Sequence, residues 1–320
     1  MASVRGTSAD ENGNISIERE AISLEFMCLP PVAKGCGGKV IVQVERKVKA
    51  GTLNPMMVKI PGVSVDAIVV AKPENHGQIP MAEPYNPALC GEVRIPPSEV
   101  QPLPFDERKV VCRRCAMEMI PNAVVNLGIG MPPGVGVVFS EEGISDLMTM
   151  TVEPGMIGGV PLGGLYFGAS INADALLDHP LMFDFFDRGG LDFAVLGMAE
   201  MDQFGNVNVS KFGPRIAGAS GFINITQSTR KVIFCGTFTA GGFDFRIGDG
   251  KLEIVKEGRI RKGVNLEKDI LAQMDFKPNV SPDLKQMDPR IFSEKIPMGI
   301  KAEVLAKNGE TAQPPAVSMK

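Results

Sequence analysis

An α/β fold, with two related open and mainly parallel sheets covered by helices, is what three observations predict for this chain of 320 residues. Short apolar runs of strand length alternate with stretches of helical pattern, as in parallel sheets buried under helices. Glycine-rich turns follow several of those runs, at the strand ends where α/β folds hold their ligands. An early segment also recurs later in the chain. Asp10, Gly13 and Asn14 match Asp202, Gly205 and Asn206, and Lys39-Val40-Ile41 matches Lys231-Val232-Ile233, in both cases 192 residues on. Two matches at one offset indicate a duplicated α/β unit.

In the first copy, residues 39–44 and 67–71 read as buried strands. From 72 to 105 the prolines at 73, 80, 84, 87, 96, 97, 102 and 104 forbid long helices and leave an extended connector with one short structured piece at most. Asp106 then caps a helix over 107–119. Strands at 123–125, 147–152, 193–196 and 232–238 alternate with helical stretches such as 172–177. Beyond about residue 281 the chain turns polar and proline-bearing. The expected division is therefore 1–105, the C-terminal part of a first domain plus connector; 106–302, a second domain; and 303–320, a loose tail. The second copy has roughly a hundred residues of its own domain before the repeated segment and the first has nine, so the first copy is expected to be incomplete.

Composition narrows the function classes. A formal charge of -4 argues against a nucleic-acid partner. No apolar run reaches the ~18 residues of a membrane span and no secretory signal opens the chain, so a cytoplasmic protein without membrane contact is expected. Six cysteines are too few for a disulfide scaffold, and Cys112-Arg113-Arg114-Cys115 falls on a helix without a second pair at ligand spacing, which disfavours zinc or redox chemistry.

The most informative stretch is residues 151–161, where Glu153 leaves an apolar strand beside Pro154, Gly155, Gly158 and Gly159, with Gly163 and Gly164 close behind. A glycine surface lets a bulky ligand lie against the main chain and lets amides face a developing oxyanion, although any tight connection in an α/β fold also uses glycine. Two further glycine-rich exits, Asn126-Leu127-Gly128-Ile129-Gly130-Met131-Pro132 and Gly218-Ala219-Ser220-Gly221-Phe222, point to one shared cleft. A nicotinamide or flavin site is disfavoured, because Gly128-Ile129-Gly130 runs into Met131-Pro132-Pro133-Gly134 and breaks the dinucleotide fingerprint.

These segments resemble the family I coenzyme A transferases, closest to the short-chain acyl-CoA:acetate and propionate CoA-transferase branch. The resemblance rests on Asn126 to Pro132, on Glu153-Pro154-Gly155 with Gly158-Gly159, and on Gly163-Gly164-Leu165-Tyr166-Phe167-Gly168-Ala169. It extends over Phe183-Asp184-Phe185-Phe186-Asp187 with Gly189-Gly190, over Gly205-Asn206-Val207-Asn208, and through Gly236-Thr237-Phe238-Thr239-Ala240-Gly241-Gly242 to about Leu284; residues 5–72 share it. It implies Glu153 as covalent nucleophile in a ping-pong transfer through a glutamyl-CoA thioester. Asn126, Gly128, Gly130, Gly155, Gly158, Gly159, Asn206, Gly218, Gly221, Gly241 and Gly242 are implied as oxyanion or CoA-binding loops. Asn206 either orients Glu153 or closes a turn, and Lys211 and Arg215 either meet CoA phosphates or form a solvated loop pair.

The resemblance implies no metal and no cofactor, with coenzyme A as a substrate, and small carboxylates such as acetate or propionate as acceptors. The family pattern carries a further N-terminal half-domain, so a partner chain supplying it, a homo-oligomer, or a truncated product without independent activity are all expected forms. A thioesterase is the remaining alternative. The ketoacid branch of the family carries its glutamate in a Ser-Glu-Asn-Gly motif, and Ser140-Glu141-Glu142-Gly143 imitates it. Glu141 and Glu142 follow Asn126 by only fifteen and sixteen residues with no strand before them, whereas Glu153 follows by twenty-seven, so both are expected to be solvated.

Overall fold

The computed structural model describes residues 1–79, 85–202, 204–237, 244–248, 251–256, 271–273, 282–283 and 286–307. The chain forms two compact units, Met1–Glu99 with Thr149–Gly190, and Val100–Met148 with the described residues from Leu191 onward. This corrects the linear division at residues 105 and 106. The segment Thr149–Gly190 joins the first unit, where Leu176 packs on its apolar core.

The first unit is built on a five-stranded mixed sheet. Its central strand Ala2–Asp10 pairs parallel with Val40–Val48 and antiparallel with Ile15–Ser16; Ala67–Val70 and Val58–Ile60 extend the two sides. Val40, Val42 and Val44 are buried while Ile41 and Gln43 are half-buried, the period-two pattern of a strand with one core face. They pack with Val4, Ala9, Ile15, Phe26 and Ile60. Residues 67–71 were expected to be buried, yet Ala67–Val70 is an edge strand with Val69 and Val70 about half exposed, at 49% and 53%. Short apolar runs do not distinguish an edge from a centre.

The duplication is visible in the turns themselves. Asp10 accepts the N–H groups of Asn12 and Asn14, each at 2.9 Å, and the Asn14 side-chain amide at 3.0 Å, with Gly13 at φ 84°. Asp202 accepts from Phe204 and Asn206 at 2.9 Å and from the Asn206 side chain at 2.7 Å, with Gly205 at φ 81°. Each turn follows a stretch paired in parallel with a later strand, Ala2–Asp10 with Val40–Val48 and Phe193–Leu196 with Lys231–Phe234.

The connector contains only single turns among the described residues, at Pro73–Asn75, Pro87–Leu89 and Pro97–Glu99, as its prolines require. A helix was expected over 172–177. Instead Asn172 adopts φ 61°, and its side chain donates to the Ile95 carbonyl at 2.6 Å and accepts the Ile95 N–H at 2.9 Å. Ala175–Leu176 then forms a strand, and the helix begins beyond Asp178, over His179–Asp187, with Pro180 in its first turn.

In the second unit Asp106 caps the helix Glu107–Ala116 by accepting the Lys109 N–H at 3.1 Å. Phe193–Leu196 lies between Val124–Leu127 and Lys231–Phe234, all parallel, and every residue of Val124–Leu127 and Phe193–Leu196 is buried. Position 238 of the expected last strand lies outside the described residues.

Glu141 and Glu142, expected to be solvated, are both interior. Glu141 accepts from Lys109 Nζ at 3.0 Å and from the Leu103 N–H at 2.9 Å. Glu142 accepts from the backbones of Met298, Gly299 and Ile300 at 2.6, 2.8 and 3.2 Å. These two carboxylates act as internal anchors, a role their polar sequence context does not advertise. The expected tail is likewise corrected at its start: Lys301–Ala306 is helical, Val304 is buried, and Arg290 bridges Asp288 at 2.6 Å and Glu303 at 2.5 Å; residues 308–320 lie outside the described residues. Among the described residues no helix is long and apolar enough to cross a membrane.

Glu142→Ala should leave three backbone amides at 298–300 without their acceptor and cost about 3 kcal/mol. Urea denaturation measures this, and a loss below about 0.5 kcal/mol would show that the anchor is redundant.

Candidate active site

Glu153 sits at the tip of a hairpin. Thr151 pairs with Ile157; the Val152 N–H donates to the Met156 carbonyl and the Gly155 N–H to the Val152 carbonyl, both at 3.1 Å, leaving Glu153-Pro154-Gly155 as the turn. The next strand runs back antiparallel, with Met156 opposite Leu176 and Ile157 opposite Ala175. That ladder continues past the strand ends, because the Leu177 N–H donates to the Gly155 carbonyl at 2.9 Å. A Cβ on Gly155 would overlap the Leu177 carbonyl oxygen, and Gly155 takes φ 120°. The tip is thereby pressed against the segment that leads into the helix His179–Asp187.

Two more contacts fix it. Pro154 closes on Gly168, whose added Cβ would lie 3.0 Å from the proline Cγ and 3.8 Å from Ile22 Cδ1. Ser23 Oγ donates to the Leu177 carbonyl at 3.0 Å, and the His179 N–H donates to the Leu24 carbonyl at 3.1 Å. Residues 22–25, 153–155 and 177–179 therefore converge within the first unit.

The resulting environment is acidic around one imidazole. His179 Nδ1 lies 2.6 Å from Glu25 Oε1, an ion pair when the ring is protonated. His179 Nε2 and Asp178 Oδ1 are buried without a hydrogen-bond partner among the described residues. Glu153 is half-buried; burial raises its pKa above the usual carboxylate value, and the charge of His179 opposes that rise. Burial also raises Asp178, reinforced by the negative charge of Glu25 and opposed by the backbone N–H and ring of His179. The Cys28 thiol is pushed up by burial and then by Asp178 and Glu25. Sequence reasoning missed Glu25, Asp178 and His179; the antiparallel return of Ala175–Leu176, which carries Leu177 to Gly155 at the hairpin tip, was concealed by reading 172–177 as helix.

The glycines divide by what their amides do. The N–H groups of Gly155 and Gly158 donate to Val152 and Met150, the latter at 2.7 Å, and those of Gly128 and Gly218 donate to Val195 at 2.9 Å and Ser210 at 3.0 Å. These four amides thus complete backbone hydrogen bonds of the fold. Gly158 and Gly159 instead permit close packing at φ 78° and 70°, where a Cβ would overlap Asp174 and the Ile171 carbonyl. Gly130 is exposed and faces open space.

In the second unit Asn126 is fully buried and neither atom of its amide has a partner among the described residues. Gly221 is buried at the start of the helix Phe222–Ser228. The Asn206 amide is used by Asp202, the turn-closing alternative; Lys211 and Arg215 are exposed. Gly241 and Gly242 lie outside the described residues. Glu153, Gly155, Gly158 and Gly159 thus belong to the first unit, and Asn126, Gly128, Gly130, Asn206, Gly218 and Gly221 to the second.

No protein-family model matches the chain. It is 44% identical to a caffeate CoA-transferase of Acetobacterium woodii, over 92% of this chain and 66% of that protein. It is 39% identical to the acetate CoA-transferase YdiF of Escherichia coli O157:H7, over 91% of this chain and 63% of that one. The crystal structure of the YdiF apoenzyme superposes with a TM-score of 0.82 at 38% identity, covering 93% of this chain and 64% of YdiF; a YdiF thioester complex with CoA gives the same score. An acetate CoA-transferase subunit beta of Escherichia coli K12 is 31% identical over 40% of this chain and 63% of the subunit. The chain spans just under two thirds of the length of the first relatives it matches.

Gly155→Ala should destabilise the protein by roughly 2–4 kcal/mol, since the left-handed backbone and the Leu177 carbonyl both oppose a side chain. Chemical denaturation would read it, and a neutral effect would mean that the tip relaxes freely. Glu153→Gln should act in the opposite direction. With a folded-state pKa above its ordinary 4.5, Glu153 carries no penalty below pH 4.5 and the full one above its folded pKa, so the variant should be more stable than the parent at pH 7 and equal to it at pH 4. Denaturation curves at the two pH values check the sign.

Proposed function

The chain belongs to the coenzyme A transferase family, and from that premise we propose that it moves CoA between an acyl-CoA and a carboxylic acid through Glu153. The observation that carries this reading is the placement of Glu153. It is a half-buried carboxylate on a braced hairpin tip, with no hydrogen bond among the influences on its ionisation. A structural glutamate is normally tied down, as Glu141 and Glu142 are. A nucleophile needs an oxygen that is positioned yet unspent.

In the proposed sequence the Glu153 carboxylate attacks the thioester carbonyl, the C–S bond breaks, and CoA leaves as thiolate while the acyl group joins the glutamate as a mixed anhydride. The thiolate then attacks the glutamyl carbonyl of that anhydride, releasing the donor acid as carboxylate and leaving a glutamyl-CoA thioester. An acceptor carboxylate attacks that thioester, and the same steps in reverse deliver the new acyl-CoA. Atoms and charge balance without an oxidant, a metal or a cofactor other than the CoA being transferred. Each tetrahedral intermediate needs oxyanion donors, worth roughly 3–4 kcal/mol apiece. With the Gly128, Gly155, Gly158 and Gly218 amides already engaged, the remaining predicted positions are Asn126, Gly130, Gly159, Gly221, Gly241 and Gly242. The thioester complex with CoA formed by YdiF supports the covalent route.

Short-chain acyl-CoA donors with acetate or propionate as acceptor remain the proposed substrates, supported by the acetate specificity named for YdiF; the caffeate enzyme makes an arylpropenoic acid the second candidate. The similarity to a beta subunit favours a further reading in which this chain works with another polypeptide.

Exchange of CoA from acetyl-CoA or propionyl-CoA to acetate, propionate and caffeate tests the proposal. Parallel-line kinetics are expected, and Glu153→Gln and Glu153→Ala should each lower exchange by about 1,000-fold or more with an unchanged circular dichroism spectrum. Release of CoA to water without exchange would instead make the protein a thioesterase, and a variant with full turnover would remove Glu153 from the chemistry.

A further inference from the structure

The duplicated unit supplies an internal template for the first sheet. Backbone pairings recur at the 192-residue offset. Ala2 with Val40 and Ser3 with Ile41 repeat as Ala194 with Val232 and Val195 with Ile233; Ser8 with Ser16 and Ala9 with Ile15 repeat as Glu200 with Asn208 and Met201 with Val207. One pairing is not repeated. In the second unit Phe193, Ala194 and Val195 pair in parallel with Val125, Asn126 and Leu127, on the side away from Lys231–Phe234. Their counterparts Met1, Ala2 and Ser3 have no strand on the side away from Val40–Val48 among the described residues, because Ile15–Ser16 reaches only Ser8 and Ala9. Met1 is 86% exposed where Phe193 is 5% exposed.

The open side belongs to a strand equipped to pair. The Ala2 N–H donates to the Lys39 carbonyl at 2.8 Å, so by alternation the N–H and C=O groups of Ser3 and Arg5 point the other way. In the template the carbonyl of Val195, the counterpart of Ser3, accepts the Gly128 N–H at 2.9 Å. Strands at true sheet edges commonly carry lysine or proline, which discourage pairing. The two outer strands of this sheet do so: Val58–Ile60 contains Lys59 and meets Pro61, and Ala67–Val70 is followed by Ala71-Lys72-Pro73. Residues 1–4 contain neither, and the Arg5 side chain is turned onto the Gly77 carbonyl at 2.8 Å and Glu20 at 2.6 Å.

We propose that the open side of residues 1–5 is the docking edge for a second polypeptide, which adds a strand parallel to Ala2–Asp10 in the place that Val124–Leu127 holds beside Phe193–Leu196. The inference rests on the reading in which this chain works with another polypeptide, and it supplies the point of attachment. The template also sets the chemistry of the added strand. Val124–Leu127 is buried throughout, so the partner presents a short run of consecutive apolar residues, β-branched ones foremost. Main-chain hydrogen bonds to Ser3 and Arg5 give the affinity in this mode, and the fit of alternate side chains gives the selectivity.

The probe is a synthetic peptide with the sequence of residues 121–128, added to the full chain labelled with 15N. The amide signals of Ser3 and Arg5 should shift saturably, and their hydrogen exchange should slow by about tenfold or more. A nitroxide on the carboxyl end of the peptide should broaden Arg5 and Gly6 more than Ala2, and one on its amino end should do the reverse, which reads the parallel direction. N-methylation of the peptide glycine, the counterpart of Gly128, should weaken binding about tenfold. Ser3→Pro should do the same, because it removes an N–H that the chain's own sheet does not use. Unmoved Ser3 and Arg5 signals or antiparallel broadening would overturn the proposal. So would protection of these amides on concentrating the chain without peptide, the signature of a second copy on the edge. The N-methylated peptide decides the matter even if Ser3→Pro does not fold. CoA exchange by the isolated chain reports separately on whether a partner polypeptide is needed, so a failure of that reading is distinguishable from a failure of the edge.

Discussion

The close approach of Gly155 to Leu177 is the constraint on which the site depends. No side chain fits between that α-carbon and the Leu177 carbonyl, and the hydrogen bond from Leu177 to Gly155 holds the two backbones together. Because the hairpin tip is only three residues long, fixing Gly155 fixes Pro154 and Glu153 with it. Pro154 then closes on Gly168, and Ser23 and Leu24 clamp the facing segment from the other side. Among the described residues the carboxylate is positioned by backbone geometry, with no hydrogen bond to its own oxygens. That is how a nucleophile can be held still and remain unspent.

Burial of the same carboxylate works against its ionisation, so the site carries an electrostatic cost that packing elsewhere in the unit must offset. The glycine-rich loops have a different part from the one their composition suggests. At Gly128, Gly155, Gly158 and Gly218 the amides complete the fold's own hydrogen bonds, and at Gly155, Gly158 and Gly159 the missing side chain allows one strand to lie hard against another. Glycine next to Glu153 is thus largely a packing device in this chain.

The sequence made the parallel strands, the Asp106 cap, the proline-bound connector and the duplication legible, because each depends on local chemistry: apolar runs, a capping carboxylate, fixed φ angles, and an Asp-Gly-Asn turn that closes in the same way at residues 10–14 and 202–206. Glu153 at the exit of a strand was legible for the same reason. Contacts between distant segments were not. Asn172 spends its amide on Ile95, which ends any helix there, and Glu142 finds its three donors more than 150 residues away. His179 became visible only once Ala175–Leu176 was seen to run back along Met156–Ile157. Polar residues satisfied by distant segments look solvated in a linear reading, which is why Glu141 and Glu142 were misjudged.

The account stands on a covalent bond to Glu153. The chain should be incubated with acetyl-CoA or propionyl-CoA, reduced with borohydride and digested, and its peptides weighed. A mass change confined to the peptide containing Glu153 and dependent on the acyl-CoA, as reduction of a glutamyl thioester to an alcohol produces, is the predicted result. An unmodified Glu153 peptide from protein that has consumed the acyl-CoA, or a modification at another residue, would contradict it.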